Sequence, residues 1–121
     1  MIIGSVSENK NLEKRVSITP EIAKKYIGLG FEIQLSKNYG KHLGFEDKEY
    51  NELGVKLFSD DEKIIENVDI VIQMGLLDEN KTSLLKPNQI FIGVLNPYEN
   101  QNKLNELVKK KVNIFSLELL P

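Results

Sequence analysis

The strongest constraint on the fold is a regular alternation of short, β-branched apolar runs with segments whose apolar residues recur at helical spacing. This alternation is typical of βαβ units, which assemble into a parallel sheet. The run Ile70-Val71-Ile72 is apolar at three consecutive positions, as expected of a central parallel strand buried on both faces. We therefore predict an α/β fold: one parallel sheet with helices on both faces, flavodoxin- or Rossmann-like.

The same alternation sets the predicted elements. Main strands are predicted at residues 2–6, 31–35, 69–74, 89–95 and 112–117, with a weaker edge strand at 55–58. Helices are predicted at residues 20–29, 46–53, 60–67, 79–85 and 99–110. A length of 121 residues fits one domain, so we assign residues 1–121 to a single unit.

Composition excludes several kinds of function. The formal net charge of -2 argues against a nucleic-acid binder, because such a protein needs a basic surface that displaces counterions. The chain has no cysteine and only one histidine, which excludes disulfides and thiolate or zinc sites. The sequence shows no signal peptide and no apolar run of the ~18 residues that span a bilayer. We expect a soluble intracellular segment without metal.

Arg15 is the candidate functional residue. It lies in a polar loop, residues 7–17, and loops of this length in compact domains are often functional. It is the one arginine among 16 basic residues, in a chain that otherwise uses lysine. Either this is chance, or the site needs the planar fork that grips carboxylate or phosphate. We predict that Arg15 lies at the rim of a cleft beyond the carboxyl end of the first strand, where open parallel sheets bind ligands.

The glycines at Gly28-Leu29-Gly30 do not form a dinucleotide-binding fingerprint. That fingerprint follows a strand and opens a helix, so that the helix N-terminus faces the pyrophosphate. Here the glycines end a predicted helix and precede a strand, which is typical of a helix C-terminus. The residues alone therefore predict an α/β domain with an arginine loop, without cofactor-binding residues in this segment and without an assignable catalytic set.

Several segments, in order and almost without gaps, share a pattern with one known family. They are Ile3-Gly4-Ser5-Val6, Arg15-Val16-Ser17-Ile18-Thr19-Pro20, Gly30-Phe31-Glu32-Ile33, Phe45-Glu46-Asp47 through Tyr50 and Gly54, Val68-Asp69-Ile70-Val71-Ile72, and Leu117-Glu118-Leu119-Leu120-Pro121. Together they cover essentially the whole chain. This combination resembles the N-terminal domain shared by alanine dehydrogenases and the alpha subunits of proton-translocating NAD(P) transhydrogenases.

The alanine dehydrogenase branch implies a pocket in which an arginine grips the substrate carboxylate beside a lysine and a catalytic histidine. The arginine position falls on Arg15, the lysine position on Gly75 and the histidine position on Asn96. Neither Gly75 nor Asn96 can serve as a general acid–base or as a positive clamp at neutral pH. The resemblance therefore favours the transhydrogenase branch, which the ending Glu118-Leu119-Leu120-Pro121 also resembles.

The transhydrogenase branch implies a longer subunit. Its next segment is a loop whose arginine, glutamine and aspartate contact nicotinamide, followed by a Rossmann domain that holds NAD(H); neither lies in these 121 residues. The complete enzyme passes hydride between NAD(H) on this subunit and NADP(H) on a partner component, and a membrane domain couples the transfer to proton translocation. The present segment would be the subdomain, of flavodoxin-like strand order, that walls the cleft beside the NAD-holding domain.

The same resemblance implies a homodimeric subunit on the cytoplasmic side, peripheral to the inner or plasma membrane through its membrane and NADP-binding partners. No nucleic acid and no direct membrane insertion of this segment are expected. The chain ends directly after a buried-type strand, so we expect a piece of a larger protein that is inactive alone. Two other classes stay open: the substrate-side domain of an alanine dehydrogenase-like amino-acid or keto-acid oxidoreductase that uses Arg15 with another base, and a non-catalytic binding module.

Overall fold

A six-stranded sheet organises the chain in the computed structural model, which describes residues 1–117. All five pairs of neighbouring strands are parallel. The strands are β1 (Ile2–Ser5), β2 (Glu32–Ser36), β3 (Lys56–Phe58), β4 (Ile70–Gln73), β5 (Ile90–Gly93) and β6 (Asn113–Ser116). The predicted α/β fold with a parallel sheet is thus confirmed. The motif at residues 118–121 lies outside the described residues.

The strand order is β3-β2-β1-β4-β5-β6. The five main strands alone have the flavodoxin-like order, and the short edge strand β3 extends it to the order of the dinucleotide-binding fold. The chain builds outward from β1 in one direction and then from β4 in the other, with β1 and β4 paired at the centre. At such a reversal the connections leave the sheet on opposite sides, which opens a crevice at the carboxyl ends of the strands.

Five helices connect the strands, together with a 3₁₀ turn at Lys41–Leu43. They are α1 (Pro20–Gly28), α2 (Asp47–Glu52), α3 (Asp61–Asn67), α4 (Glu79–Thr82) and α5 (Gln101–Lys109). Thr19 starts α1: its hydroxyl accepts the N–H of Ile22 at 3.3 Å, and Pro20 occupies the first turn. Gly30 has φ +99° just after the helix, so the prediction that these glycines end a helix is confirmed.

The core has two layers, one on each face of the sheet. We call them the α1 face, where α1 and α2 pack, and the α5 face, where α3 and α5 pack. Ile3 and Ile33 are buried on the α1 face, and Val71 and Phe91 are buried on the α5 face. In contrast to Val71, its neighbours Ile70 and Ile72 are only half-buried on the α1 face. The sequence predicted that β4 is buried on both faces. The strand is fully buried on the α5 face and half-buried on the α1 face.

Candidate functional site

A cleft of about 670 Å³ opens at the carboxyl ends of β1, β4 and β5, where the strand order reverses. This is the position at which open α/β sheets bind ligands. Its lining comes from the loop after β1, from the segment after β4, and from the turn after β5. The lining residues are Ser7, Glu8, Asn9, Leu12, Glu13, Arg15, Asp61, Gln73, Met74, Gly75, Leu76, Leu77, Asp78, Lys81, Val94 and Asn96.

Arg15 lines this cleft, and its side chain is 59% exposed. Its guanidinium grips Glu13 at two points, with Nε donating to Oε2 at 3.0 Å and Nη2 donating to Oε1 at 2.7 Å. The hydrogen bond from Arg15 lowers the pKa of Glu13 below its usual value. Glu13 thus occupies the planar fork that a ligand carboxylate would use. A ligand carboxylate has to displace Glu13 or share Arg15 with it, so the substrate-binding role of Arg15 stays a prediction.

Gly75 and Asn96 lie on the same cleft as Arg15. The three positions that the family resemblance brought together therefore line one cleft in the structure. Gly75 offers only backbone groups, and Asn96 has φ 46°, a left-handed conformation that asparagine tolerates well. The cleft thus has an arginine but no titratable side chain at the other two positions.

Gln73 holds the floor of the cleft together. Its Oε1 accepts the N–H of Val6 at 2.8 Å and the hydroxyl of Ser5 at 3.1 Å. Its amide nitrogen donates to the carbonyl of Val6 and to the carboxylate of Glu8, each at 3.0 Å. Gln73 is 2% exposed and has used both of its amide donors. It therefore joins the carboxyl end of β1 to that of β4, and both its amide oxygen and its amide nitrogen are hydrogen-bonded.

Tyr39 extends this network under the arginine loop. Its hydroxyl accepts the backbone N–H groups of Ser17 and Ile18 at 3.1 and 3.2 Å. Because those bonds use its oxygen, its own hydrogen points to Ser5 Oγ, 2.8 Å away, and Ser5 in turn donates to Gln73. Burial raises the pKa of Tyr39 to about 12, so the hydroxyl keeps its proton. The chain of donors runs in one direction, from Tyr39 to Glu8.

Glu8 is the acceptor at the end of that chain. Its Oε1 also accepts the N–H of Met74, at 2.5 Å. Burial raises the pKa of Glu8 above its usual 4.5, against the hydrogen bond from Met74, which lowers it. A carboxylate that lines a cleft with a perturbed pKa is a candidate functional group. No sequence pattern predicted Glu8, Gln73 or Tyr39, because each bonds to residues far away along the chain. The partners of Glu8 and Gln73 are 65–68 positions away, and Ser5 is 34 positions from Tyr39.

Replacing Glu8 by glutamine should change how stability depends on pH. Because the folded-state pKa is raised, the native state binds the proton more readily than the unfolded state. The contribution of Glu8 to the free energy of unfolding therefore grows as pH falls through the raised pKa towards 4.5, and is lost as pH rises through it. Glutamine keeps an oxygen for Met74 but cannot titrate. Urea unfolding at several pH values should show the difference between Glu8→Gln and the native chain varying across that window; parallel curves would contradict this.

A second set of contacts fixes Lys81, the other basic residue of the lining. Lys81 Nζ donates to Asp61 Oδ2 at 3.0 Å, and the other oxygen of Asp61 accepts Ser36 Oγ at 2.6 Å. Ser36 Oγ accepts the N–H of Ser7 at 2.9 Å, which anchors the start of the arginine loop. Arg15 and Lys81 are thus both paired with acids of the cleft. A phosphate would have to compete with those carboxylates for both charges.

Residues 1–117 contain neither a cluster of metal-ligating side chains nor a helix that could span a membrane. No group of three or more histidine, aspartate or glutamate side chains is placed to hold a metal ion there. Within the same part of the chain, no helix combines the length and the apolar character needed to cross a membrane.

Comparison with known proteins identifies the domain. Residues 4–121 match the family described as "Alanine dehydrogenase/PNT, N-terminal domain". The chain belongs to this family. The resemblance found in the sequence segments is therefore confirmed, and the cleft with Arg15, Gly75 and Asn96 is that of an alanine dehydrogenase/PNT N-terminal domain.

Among curated relatives, a polypeptide of NAD(P) transhydrogenase subunit alpha from Rickettsia prowazekii (strain Madrid E) is 31% identical over 125 residues, covering 100% of this chain and 33% of the relative. The corresponding alpha-subunit polypeptide from Rhodospirillum rubrum is 28% identical, with the same two coverages. Alanine dehydrogenase of Methanococcus maripaludis is 25% identical, covering 98% of this chain and 32% of the relative. The chain spans about one third of the length of these relatives.

Solved structures share the fold. The transhydrogenase from Sinorhizobium meliloti has a TM-score of 0.90 at 21% identity, covering 100% of this chain and 36% of that one. An L-alanine dehydrogenase has a TM-score of 0.87 at 19% identity, covering 96% of this chain and 32% of that one. At these identities the likeness shows the Rossmann-like α/β fold alone.

Proposed function

We propose that this chain is the N-terminal segment of the NAD(H)-binding alpha subunit of a proton-translocating transhydrogenase, which transfers hydride between NAD(H) and NADP(H). The observation that carries the proposal is the lining of the cleft. It keeps Arg15 but has Gly75 and Asn96 where the resemblance places the lysine and histidine of alanine dehydrogenases. The relatives from Rickettsia prowazekii and Rhodospirillum rubrum both carry transhydrogenase names, which supports the same branch.

The missing titratable groups agree with the chemistry of direct hydride transfer. When hydride passes from one nicotinamide ring to another, one C–H bond breaks and one forms, and no protein group has to gain or lose a proton. Oxidative deamination of an amino acid instead needs a positioned base to activate water and handle the amine protons. A cleft with Gly75 and Asn96 at the two critical positions suits the first reaction and not the second.

In this proposal the chain positions the reacting ring but does not hold the dinucleotide. The described residues lack a glycine-rich turn that opens a helix after a strand, and both basic residues of the lining are already paired. NAD(H) would be held mainly by the rest of the subunit, and NADP(H) by a partner component. The homodimeric subunit, the proton-translocating membrane partner and a cytoplasmic location beside that membrane belong to the same proposal.

The test is a pair of assays on a subunit extended to the length of the relatives, mixed with its NADP-binding component. We expect hydride transfer between NADH and an NADP+ analogue, and no NAD+-dependent deamination of alanine. Arg15→Lys should lower hydride transfer about tenfold or more, ~1.4 kcal/mol of transition-state stabilisation, because lysine lacks the planar fork.

Lys14→Arg, in the same exposed loop, is the matched control and should leave the rate unchanged. Turnover of alanine would favour the alternative of an amino-acid oxidoreductase. No turnover in either assay, with both proteins folded and mixed, would favour a non-catalytic binding module.

A further inference from the structure

Glu8 holds a carboxylate in the cleft for which the proposed reaction has no use as an acid or base. The side chain is half-buried and lines the cleft beside Gln73. Its Oε1 accepts the N–H of Met74 at 2.5 Å and the side-chain amide of Gln73 at 3.0 Å. Hydrogen bonds from N–H groups stabilise the charged form of a carboxyl group. The cleft therefore contains a negative charge whose position is fixed by the network below it.

No ion pair among residues 1–117 includes Glu8. The two cations of the lining, Arg15 and Lys81, are each paired with another acid. Burial raises the pKa of Glu8, the hydrogen bond from Met74 lowers it, and repulsion from Glu13 raises it further. The charged neighbour that acts on Glu8 is thus a second acid, and its negative charge is not compensated by a cation.

The lining as a whole is acidic, with four carboxylates against two cations. Its charged side chains are Glu8, Glu13, Asp61, Asp78, Arg15 and Lys81. Two of the acids form the ion pairs with Arg15 and Lys81, which leaves Glu8 and Asp78. Asp78 is exposed, so water and salt screen its charge, whereas the half-buried Glu8 is screened less. Glu8 therefore has the larger effect on the potential inside the cleft.

We propose that Glu8 makes the cleft favour the oxidised, positively charged nicotinamide ring over the reduced, neutral ring. This inference rests on the proposed function, which puts the ring of NAD(H) in this cleft. NAD+ has a positive charge on its pyridinium ring and NADH does not, while the rest of the two molecules is the same. A fixed negative charge beside the ring stabilises the oxidised form more, and so lowers the reduction potential of the bound couple.

The same charge assists the departure of hydride from NADH. The C4–H bond of the dihydronicotinamide breaks, its electron pair leaves with the hydrogen, and a C–H bond forms at C4 of the NADP+ ring. The donor ring becomes cationic as the acceptor ring becomes neutral, and no proton is released. Positive charge thus develops on the ring beside Glu8, where a fixed carboxylate stabilises it without exchanging a proton.

The test separates the charge of Glu8 from its shape. Glu8→Gln removes the charge with little change of shape, and Glu8→Asp keeps the charge on a shorter side chain. Glu66→Gln, at an exposed position near the end of α3 and outside the cleft lining, is the matched control. Each variant is made in a subunit extended to the length of the relatives. Nicotinamide fluorescence gives Kd for NADH, and displacement of NADH gives Kd for NAD+, at about pH 8, where carboxyl groups are ionised.

In Glu8→Gln, the ratio of Kd for NAD+ to Kd for NADH should rise about tenfold, which raises the potential of the bound two-electron couple by about 30 mV. The ratio should stay near its native value in Glu8→Asp and Glu66→Gln. A ratio that is unchanged in Glu8→Gln, with both dinucleotides still bound, would overturn the inference and leave the proposed function standing. So would a larger change in Glu8→Asp than in Glu8→Gln, since shape and not charge would then decide. If the native longer subunit bound neither dinucleotide, the proposed function would fail and this inference with it.

Discussion

Replacing Tyr39 by phenylalanine is expected to lower the free energy of unfolding by about 3 kcal/mol, since buried groups that lose a hydrogen-bond partner cost ~1–3 kcal/mol each. The Tyr39 ring is 1% exposed, so phenylalanine fills the same volume. The change leaves the N–H groups of Ser17 and Ile18 without their acceptor and Ser5 Oγ without its donor. Urea unfolding should show a lower midpoint with an unchanged slope.

Phenylalanine substitutions at two other tyrosines serve as comparisons for the expected loss of stability. Tyr50→Phe removes one bond, to the carbonyl of Ile18, and should cost about 1 kcal/mol. Tyr98→Phe, at a side chain that is 94% exposed, should have no effect. If Tyr39→Phe is no more destabilising than Tyr98→Phe, the network under the arginine loop does not have the structural role assigned to it.

Replacing Gly93 by alanine is the second large effect. A Cβ at Gly93 would lie 2.5 Å from the carbonyl oxygen of Gln73 and 3.0 Å from Cδ2 of Leu95. The first neighbour is backbone of the paired strand, so relief requires β4 and β5 to move apart beside Gln73. Overpacking of this kind costs ~1–3 kcal/mol or more, and we expect about 3 kcal/mol here.

Gly28→Ala is the matched control for this substitution. Gly28 ends α1, and an added Cβ there meets nothing within 4 Å. Alanine should therefore stabilise the chain by about 0.5–1 kcal/mol, because it restricts the unfolded backbone and favours the helix. Thermal unfolding monitored by circular dichroism should move in opposite directions for the two alanine variants. A Gly93→Ala chain as stable as the native one would show that the contact between β4 and β5 is looser than described.

The fold could be predicted because two periodicities alternate along the chain. Strand ends were less predictable, since the predicted strands ran on through Val6, Met74 and Leu95, which lie just beyond β1, β4 and β5. Side chains explain two of these differences. The N–H of Val6 bonds to the Gln73 side chain, and that of Met74 bonds to Glu8, so neither joins the ladder of the sheet. The apolar pattern of the sequence does not show where a side chain, instead of the neighbouring strand, accepts a backbone N–H.

The site was predictable only where a residue stood out by type. Arg15 did so as the single arginine, and the structure places it on the cleft. Glu8, Gln73 and Tyr39 are ordinary residue types whose roles come from distant partners, so no local spacing identifies them. The half-buried Ile70 and Ile72 illustrate another limit. An apolar strand predicts burial on both faces, but it does not show how far the helices extend over each face.

The proposal made above is that this chain forms one wall of an NAD(H) cleft whose dinucleotide-holding part belongs to the rest of a longer subunit. Titration with NADH, followed by nicotinamide fluorescence, tests it most directly when the 121-residue chain and the longer subunit are compared. The longer subunit should give a saturable signal. The chain alone should give none below millimolar NADH, which corresponds to a binding free energy of no more than about 4 kcal/mol. Saturation of the chain alone at micromolar NADH would contradict the proposal.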